Sequence, residues 1–172
     1  MHTSEVLLDS FSRVKEGVGQ VLDGLGDEDL VFRADSRANS ISWLIWHLTR
    51  VQDDHVAEVA GKEQVWLSDG WALRFGLELD NWDIGYGHKS SDVALVRAGA
   101  AQLSGYHEAV FDQTTRYVKG LRDEDLDRVV DTRWDPPVTL GVRLISVIAD
   151  DLQHVGQAAF VRGLVERRRP VA

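Results

Sequence analysis

Residues 41–59 restrict the fold of this chain more than any other segment. The positions expected to face inward recur with the period of an α-helix. They are Ile41, Leu44, Ile45, Leu48, Val51, Gln52, His55, Val56 and Val59. Asn39 or Ser40 can cap the start of this helix, and Gly61 can end it. At about 100° per residue, His47 lies at one margin of the apolar face. The segment therefore predicts an amphipathic helix with a histidine beside its apolar stripe.

Three other long segments show helical periodicity. They are residues 3–24, about 99–121 and about 139–166. Residues 91–97 can form a further short helix or join the second of these segments. Polar connectors separate the helices, and Pro136 and Pro137 exclude helix at the end of the last connector. The pattern predicts an all-α protein in which residues 1–172 form one domain.

Residues 62–90 are irregular and contain three of the six tryptophans, Trp66, Trp71 and Trp82. An irregular segment of this length inside a compact domain is uncommon and is often a lid or a binding loop. We expect a short helix at 71–75 within this segment, which is called the insert below.

Composition excludes several classes of function. The net charge is −9 and the chain has no cysteine. An acidic surface disfavours nucleic acid, and the absence of cysteine excludes thiolate metal sites. No apolar run approaches the roughly 20 residues of a membrane span, and no signal peptide is evident. We therefore expect a cytoplasmic protein with neither a membrane nor a nucleic-acid partner.

One pair of residues and a third residue on another helix indicate a metal site. Asp150 and His154 are spaced i and i+4, so they project from one face of the last long helix. His47 on the second long helix can supply a third ligand if the two helices face each other. Two histidines and a carboxylate leave coordination positions open and suit Zn²⁺, Fe²⁺ or Ni²⁺. Asp151, three residues before His154, is an alternative ligand or a hydrogen-bond partner of His154.

Other polar residues near these positions have several possible roles. Arg50 and Asp54 lie one and two turns beyond His47, and we expect them to pair with each other. Alternatively, one of them orients His47 or binds a substrate carboxylate. His88 lies beside glycines in the insert, where it could reach the pocket as a substrate contact or as a partner of a ligand. We expect His55 to be a core or boundary residue with a structural role, and His107 to be structural or exposed.

The residues around the histidines resemble those of a known family. Residues 43–55 (WLIWHLTRVQDDH) and 150–157 (DDLQHVGQ) are similar to the DinB/YfiT-like superfamily, and most similar to its actinobacterial branch near mycothiol-dependent maleylpyruvate isomerase. The resemblance implies a four-helix bundle, with the insert between its second and third long helices. It also implies one divalent metal, held by His47, Asp150 and His154. Asp150 departs from the family pattern, which has His or Glu there, so the ion would lie nearer the last helix, bind through a water molecule or bind weakly.

The resemblance also implies an activity. We expect an enzyme that binds a divalent cation, with zinc favoured over nickel or iron, and uses a low-molecular-weight thiol such as mycothiol. The cation would lower the pKa of the thiol, and the thiolate would attack a small electrophile in a transfer, isomerisation or detoxification reaction. The alternatives are a small metal-dependent hydrolase and a non-catalytic bundle with a vestigial site. Relatives often form homodimers, so a homodimer is also expected.

Overall fold

The computed structural model describes residues 2–168 of the chain, and this part is mostly helical. In chain order its helices are α1 (Thr3–Leu22), α2 (Asp27–Leu30), α3 (Ile41–Ala60), α4 (Val65–Ser68), α5 (Trp71–Phe75), α6 (Ser90–Leu95), α7 (Ala100–Lys119) and α8 (Leu140–Arg168). The prediction of an all-α fold is confirmed, and so is the short helix at residues 71–75. None of the described helices is long and apolar enough to cross a membrane.

Helix α3 begins and ends where its capping residues predict. The hydroxyl of Ser40 accepts a hydrogen bond from the amide of Trp43, which would otherwise lack a partner in the first turn. Gly61 follows the last turn with φ 61° and ψ 39°, a left-handed conformation that glycine adopts without the steric cost of a Cβ atom.

The four long helices α1, α3, α7 and α8 form the bundle. Helices α1 and α3 each pack against both α7 and α8. Helix α3 is buried on every face from Ile41 to Asp53. Because α7 and α8 cover only part of that circumference, the insert covers the rest, with Val65, Trp66 and Phe75 packed into the core. The insert is therefore a structural cover for α3 as well as a connector.

The apolar core has two parts with polar residues between them. One cluster includes the first half of α3, and the other includes Val56 and Val59 near its end. The buried polar side chains on α3, α7 and α8 that lie between the two clusters are called the polar layer; they are Thr49, Gln52, His107, Thr114 and Asp151. Hydrogen bonds join Thr49 to His107 and Gln52 to Thr114, so this layer ties α3 to α7.

The connector before α8 contains structure that the sequence did not predict. A 3-10 helix (Asp123–Asp127) is followed by two short antiparallel strands, β1 (Val129–Asp131) and β2 (Val138–Thr139). Pro136 and Pro137 lie in the turn between the strands, where they remove no ladder hydrogen bond. Strands of two or three residues have too few positions to show an alternating pattern, so the periodicity could not reveal this hairpin.

The buried imidazole of His107 should make stability depend on pH. The hydroxyl of Thr49 donates to the carbonyl of Ile45 at 2.7 Å, so its oxygen accepts from Nδ1 of His107 at 3.2 Å. Nε2 is buried with no hydrogen-bond partner in the described part of the chain. Burial, and secondarily the charge of Lys15, lower the pKa of His107 to about 4. Protonation would place an unpaired charge in the core.

We therefore expect the free energy of unfolding to fall as the pH decreases from about 6.5 to about 4, because the unfolded chain takes up a proton that the folded chain resists. The difference between a pKa of 6.5 in the unfolded chain and about 4 in the folded chain corresponds to about 3 kcal/mol of unfolding free energy. Chemical denaturation at several pH values should show a weaker dependence in His107→Gln than in the wild type, since His47 and other groups titrate in both. Equal pH dependence in the two proteins would contradict this assignment.

Candidate metal centre

The structure brings His47, Asp150 and His154 together between α3 and α8. One potential ligand atom from each residue lies within 4.8 Å of the other two. The imidazole rings of the two histidines meet edge to face, with 4.7 Å between their centroids. His47 is buried, whereas Asp150 and His154 are half-buried. The His–Asp–His cluster is therefore closed on the α3 side and accessible on the α8 side.

The insert orients the imidazole of His47. Its Nδ1 makes a hydrogen bond to the carbonyl oxygen of Ile84. Because a carbonyl can only accept, Nδ1 carries the proton and Nε2 keeps its lone pair. The indole of Trp43 stacks on the ring with 4.6 Å between centroids and 14° between planes. Burial lowers the pKa of His47 to about 4, so the ring is neutral near pH 7.

His154 is held in the matching tautomer by its own helix. Its Nδ1 donates to the carbonyl oxygen of Asp150 at 2.8 Å, which leaves the lone pair on Nε2. Burial disfavours the imidazolium, but the hydrogen bonds and charge of Asp150 outweigh burial and raise the pKa of His154. The Oδ2 atom of Asp150 is buried with no hydrogen-bond partner among the described residues, although Nδ1 of His154 lies 3.3 Å from it.

These side chains fit a divalent cation. Metal-binding histidines usually donate their second ring N–H to a carbonyl or carboxylate, and His47 and His154 both donate to a backbone carbonyl. The Oδ2 atom of Asp150 makes no hydrogen bond of good geometry to a described residue, so it can still accept a bond to a cation. Two nitrogens and one oxygen with an accessible side match the three-ligand pattern of catalytic zinc sites.

Asp151 lies apart from this cluster. Its side chain is fully buried, and neither carboxylate oxygen has a hydrogen-bond partner in the described part of the chain. Burial, with a smaller contribution from Asp150, raises the pKa of Asp151 well above its usual range. The group of potential ligands includes Asp150 and not Asp151. Of the two carboxylates considered from the sequence, Asp150 is therefore the one placed with the histidines.

Arg50 does not pair with Asp54, contrary to the expectation from their spacing. The guanidinium lies 3.7 Å from Asp53 and donates to the amide oxygen of Gln64 at 2.8 Å. Gln64 in turn donates to Asp54 at 2.7 Å, so it bridges the two residues. Arg50 is fully buried, and burial of a charge demands more partners than the half-buried Asp54 supplies.

The other contacts of Arg50 are to the insert. Its guanidinium donates to the backbone carbonyls of Asn81 and Asp83, each at 3.2 Å. Ile84, whose carbonyl accepts from His47, is the next residue. Arg50 therefore holds the loop that orients His47, which is one of the roles considered for it from the sequence.

Asp53 has a structural role that the sequence analysis did not predict. Its two oxygens accept from the amides of Val65 and Trp66 at 2.9 and 2.8 Å, and thus cap helix α4. The hydroxyl of Tyr106 donates to the same carboxylate at 2.8 Å. An aspartate two turns before a helix end gives no local signal for such a role, because its partners come from residues 12 or more positions away.

His88 is not part of the His–Asp–His cluster. Its Nε2 pairs with Asp83 at 2.9 Å, and its Nδ1 accepts from the indole nitrogen of Trp43 at 3.0 Å. Trp43 stacks on His47, so His88 fixes the indole that supports the ligand. His55 is half-buried and contacts Arg143 at 3.2 Å, and His107 is buried in the polar layer.

The fold and this cluster together define a DinB/YfiT-like helical bundle with a candidate metal centre. The family model described as Mycothiol-S-transferase matches residues 6–167, so the chain belongs to this family. A crystal structure of a conserved protein from Enterococcus faecalis is similar to the chain, with a TM-score of 0.91 and 30% identity. The similarity covers 98% of this chain and 99% of that one. No curated protein sequence matches significantly.

Substitution of Gly85 by alanine tests the contact between the insert and His47. A Cβ atom at this position would lie 2.6 Å from Nδ1 of His47, and φ is 97°. Gly87 also has a positive φ, 75°, but a Cβ there would meet nothing within 4 Å. Both substitutions by alanine strain the backbone by about 1–2 kcal/mol, but only at Gly85 would the new Cβ atom push against His47, so only Gly85→Ala is expected to displace the carbonyl that orients it.

We expect Gly85→Ala to reduce the affinity for added Zn²⁺ by about 10- to 100-fold, as loss of a ligand's hydrogen-bond partner does. Gly87→Ala should retain wild-type affinity. Competition with a chromophoric chelator measures both. An equal loss in the two variants would show that backbone strain, and not contact with His47, is responsible.

Proposed function

We propose that this protein is a divalent-metal-dependent transferase that joins a low-molecular-weight thiol, mycothiol or a close analogue, to a small electrophile. The observation that supports this most is the His–Asp–His cluster, in which both histidines keep Nε2 free and Asp150 keeps a carboxylate oxygen without a hydrogen bond of good geometry. Membership of the Mycothiol-S-transferase family supports the choice of thiol.

His47, Asp150 and His154 would hold the cation. A divalent cation bound there supplies a positive charge that lowers the pKa of a thiol and makes it nucleophilic at neutral pH. Zinc fits two neutral imidazoles and a carboxylate best, and nickel and iron accept the same ligands. Transfer forms a bond between sulfur and the electrophilic carbon as the leaving group departs, and the thiol proton is released to solvent.

The protein's own residues would prepare the site for this chemistry. The Ile84 carbonyl and Trp43 orient His47, so the ligand need not reorganise when the cation binds. Burial keeps His47 uncharged and ready to bind a cation. Because the chain has no cysteine, the thiol must come from a cosubstrate. A reducing cytoplasm, where small thiols remain reduced, is the compartment that suits this reaction.

A homodimer, expected from the resemblance, stays a prediction. Light scattering of the purified protein tests it directly, because a molar mass of one chain would contradict it.

Elemental analysis tests the metal centre. Protein purified without a chelator or a metal-affinity tag should contain about one equivalent of a transition metal. His154→Ala should lose most of it, because two remaining ligands hold a cation weakly. Leu73→Ala, at an exposed position of α5, is a control that should retain the metal. Less than about 0.1 equivalent in the wild type, without stabilisation by added Zn²⁺ or Ni²⁺, would contradict the proposal.

Dependence on thiol tests the reaction. With monochlorobimane as the electrophile, the wild type should form the mycothiol adduct faster than the uncatalysed reaction, and His47→Ala should lose at least about 100-fold of that rate enhancement. Product formed from an electrophile without any thiol would instead indicate a hydrolase, in which water takes the place of the thiol.

A further inference from the structure

The outer side of α8 carries no charge over most of its length. Helices α1 and α7 present charged side chains to solvent, among them Glu5 and Asp9 on α1 and Glu108 and Asp112 on α7. Between residues 142 and 160 of α8, all of which the structure describes, no exposed position holds a charged residue. The chain as a whole has a net charge of −9. Charged residues are depleted at the centres of protein interfaces, so this side of α8 resembles a contact surface more than a solvated one.

Six exposed positions of α8 follow heptad spacing, in which the intervals alternate between three and four residues. They are called the outer stripe and comprise Val142, Ile145, Ala149, Leu152, Gly156 and Ala159. Asp150 and His154 meet His47 on the other side of the helix. Helix α8 thus has one apolar face inside the bundle and a second one outside it. A helix that is apolar on opposite faces is normally covered on both.

Gly156 has no packing reason within one chain. A Cβ atom at this position would meet no described atom within 4 Å, whereas a Cβ at Gly17 of α1 would lie 2.6 Å from Val155. Glycine inside a helix costs about 1 kcal/mol relative to alanine. Glycine also lets another backbone come close, so the approach of a second helix to α8 at this point would explain the residue.

The outer stripe is complementary to itself when two α8 helices pack antiparallel about a twofold axis at residues 150–151. Each large side chain then faces a small one of the second copy. The facing pairs are Val142 with Ala159, Ile145 with Gly156 and Leu152 with Ala149. Such pairing of large with small residues fills every layer of a contact evenly. A parallel arrangement would place Ile145 on Ile145 and Gly156 on Gly156, so crowded layers and empty layers would alternate.

The two ends of α8 have opposite charge. The acidic 3-10 helix Asp123–Asp127 packs at the start of α8. The last turn of α8 carries exposed Arg167 and Arg168, and Glu166 beside them is already paired with Arg162 at 2.8 Å. Antiparallel packing brings the basic end of each helix to the acidic end of the other. The ends of the contact therefore attract each other, although two chains of net charge −9 repel overall.

The apolar surface continues past the end of the outer stripe. Phe160 is 66% exposed and borders a pocket of about 520 Å³ that Leu44 and Ala38 also line. A stable dimer usually buries about 800 Å² on each partner, more than one helix face of about 25 Å offers. The pocket and the charged ends of α8 would add to that area. We therefore expect a dimer of moderate stability, with a Kd of about 1–100 µM.

We propose that the outer stripe is the interface with a second copy of this chain, in which the two α8 helices pack antiparallel about residues 150–151. A homodimer is also expected from the family resemblance, but its face, register and orientation follow from α8 itself. The dimer is independent of the proposed transfer reaction, because the His–Asp–His cluster lies on the opposite side of α8. Each chain therefore keeps its own cluster.

Sedimentation velocity of the full chain tests the interface. Between about 1 and 200 µM the wild type should show a monomer–dimer equilibrium. Leu152→Glu should raise the Kd at least about 100-fold, because the dimer would bury two unpaired carboxylates. The control is Leu73→Glu, the same substitution at an exposed position of α5, which packs on α7 across the bundle from α8. It should dimerise as the wild type does, and circular dichroism should show that both variants are folded.

Gly156→Leu separates close helix packing from non-specific apolar association. Leucine favours helix and enlarges the apolar surface, so non-specific association would become tighter. In the proposed register the leucine would collide with Ile145 of the second copy, so the Kd should rise at least about tenfold.

Single-cysteine variants test the orientation, because the chain has no cysteine of its own. A mixture of Val142→Cys and Ala159→Cys should form a disulfide-linked dimer on mild oxidation. Neither variant alone should do so, since antiparallel packing separates the two copies of residue 142 by about 25 Å along the helices.

Several results would overturn the proposed interface. They are a wild type that is monomeric at about 200 µM, a dimer that Leu152→Glu leaves intact, tighter association of Gly156→Leu, and no cross-linking in the cysteine mixture. Cross-linking of Val142→Cys with itself would show a parallel arrangement and overturn it too. A dimer with these properties that catalyses no thiol transfer would sustain the interface and refute the proposed function.

Discussion

The buried guanidinium of Arg50 is the interaction on which the candidate site depends. A charge with no exposed surface is tolerated only when its donors are satisfied, and here the partners come from α3, α7 and the insert. Meeting that requirement fixes the backbone around Asp83. The next carbonyl, that of Ile84, then determines which nitrogen of His47 is free. The tautomer of His47 thus depends on the charge of Arg50, although Arg50 does not contact the His–Asp–His cluster.

Local signals in the sequence were sufficient for the framework of the fold. The limits of α3 follow from Ser40 and Gly61, and the confirmed family resemblance placed the two histidines and Asp150 on facing helices. The insert could not be derived in the same way. The partners of Arg50 and Asp53 depend on how residues 62–90 fold back over α3, and the nearest residue by spacing, Asp54, was the wrong choice.

The pocket of about 560 Å³ that Asp150 helps to line was also beyond the sequence analysis, for a different physical reason. Its lining comes from α3, the insert, the β1–β2 hairpin and α8. Asp131 and Arg143 meet only because the hairpin packs on the start of α8, and the hairpin is too short to leave a periodic pattern. Residues near a predicted site can be found by helical spacing, but residues supplied by irregular connectors need the folded chain.

The polar layer between the two apolar clusters has a consequence for the alignment of the helices. If α8 slid along α3 by one turn, the buried carboxyl group of Asp151 would leave the polar layer and enter an apolar cluster. Buried polar groups of this kind specify helix register in coiled coils at some cost in stability. We expect the polar layer to fix the register of α8 against α3 in the same way here. That register keeps His47 at the same height along the bundle as Asp150 and His154.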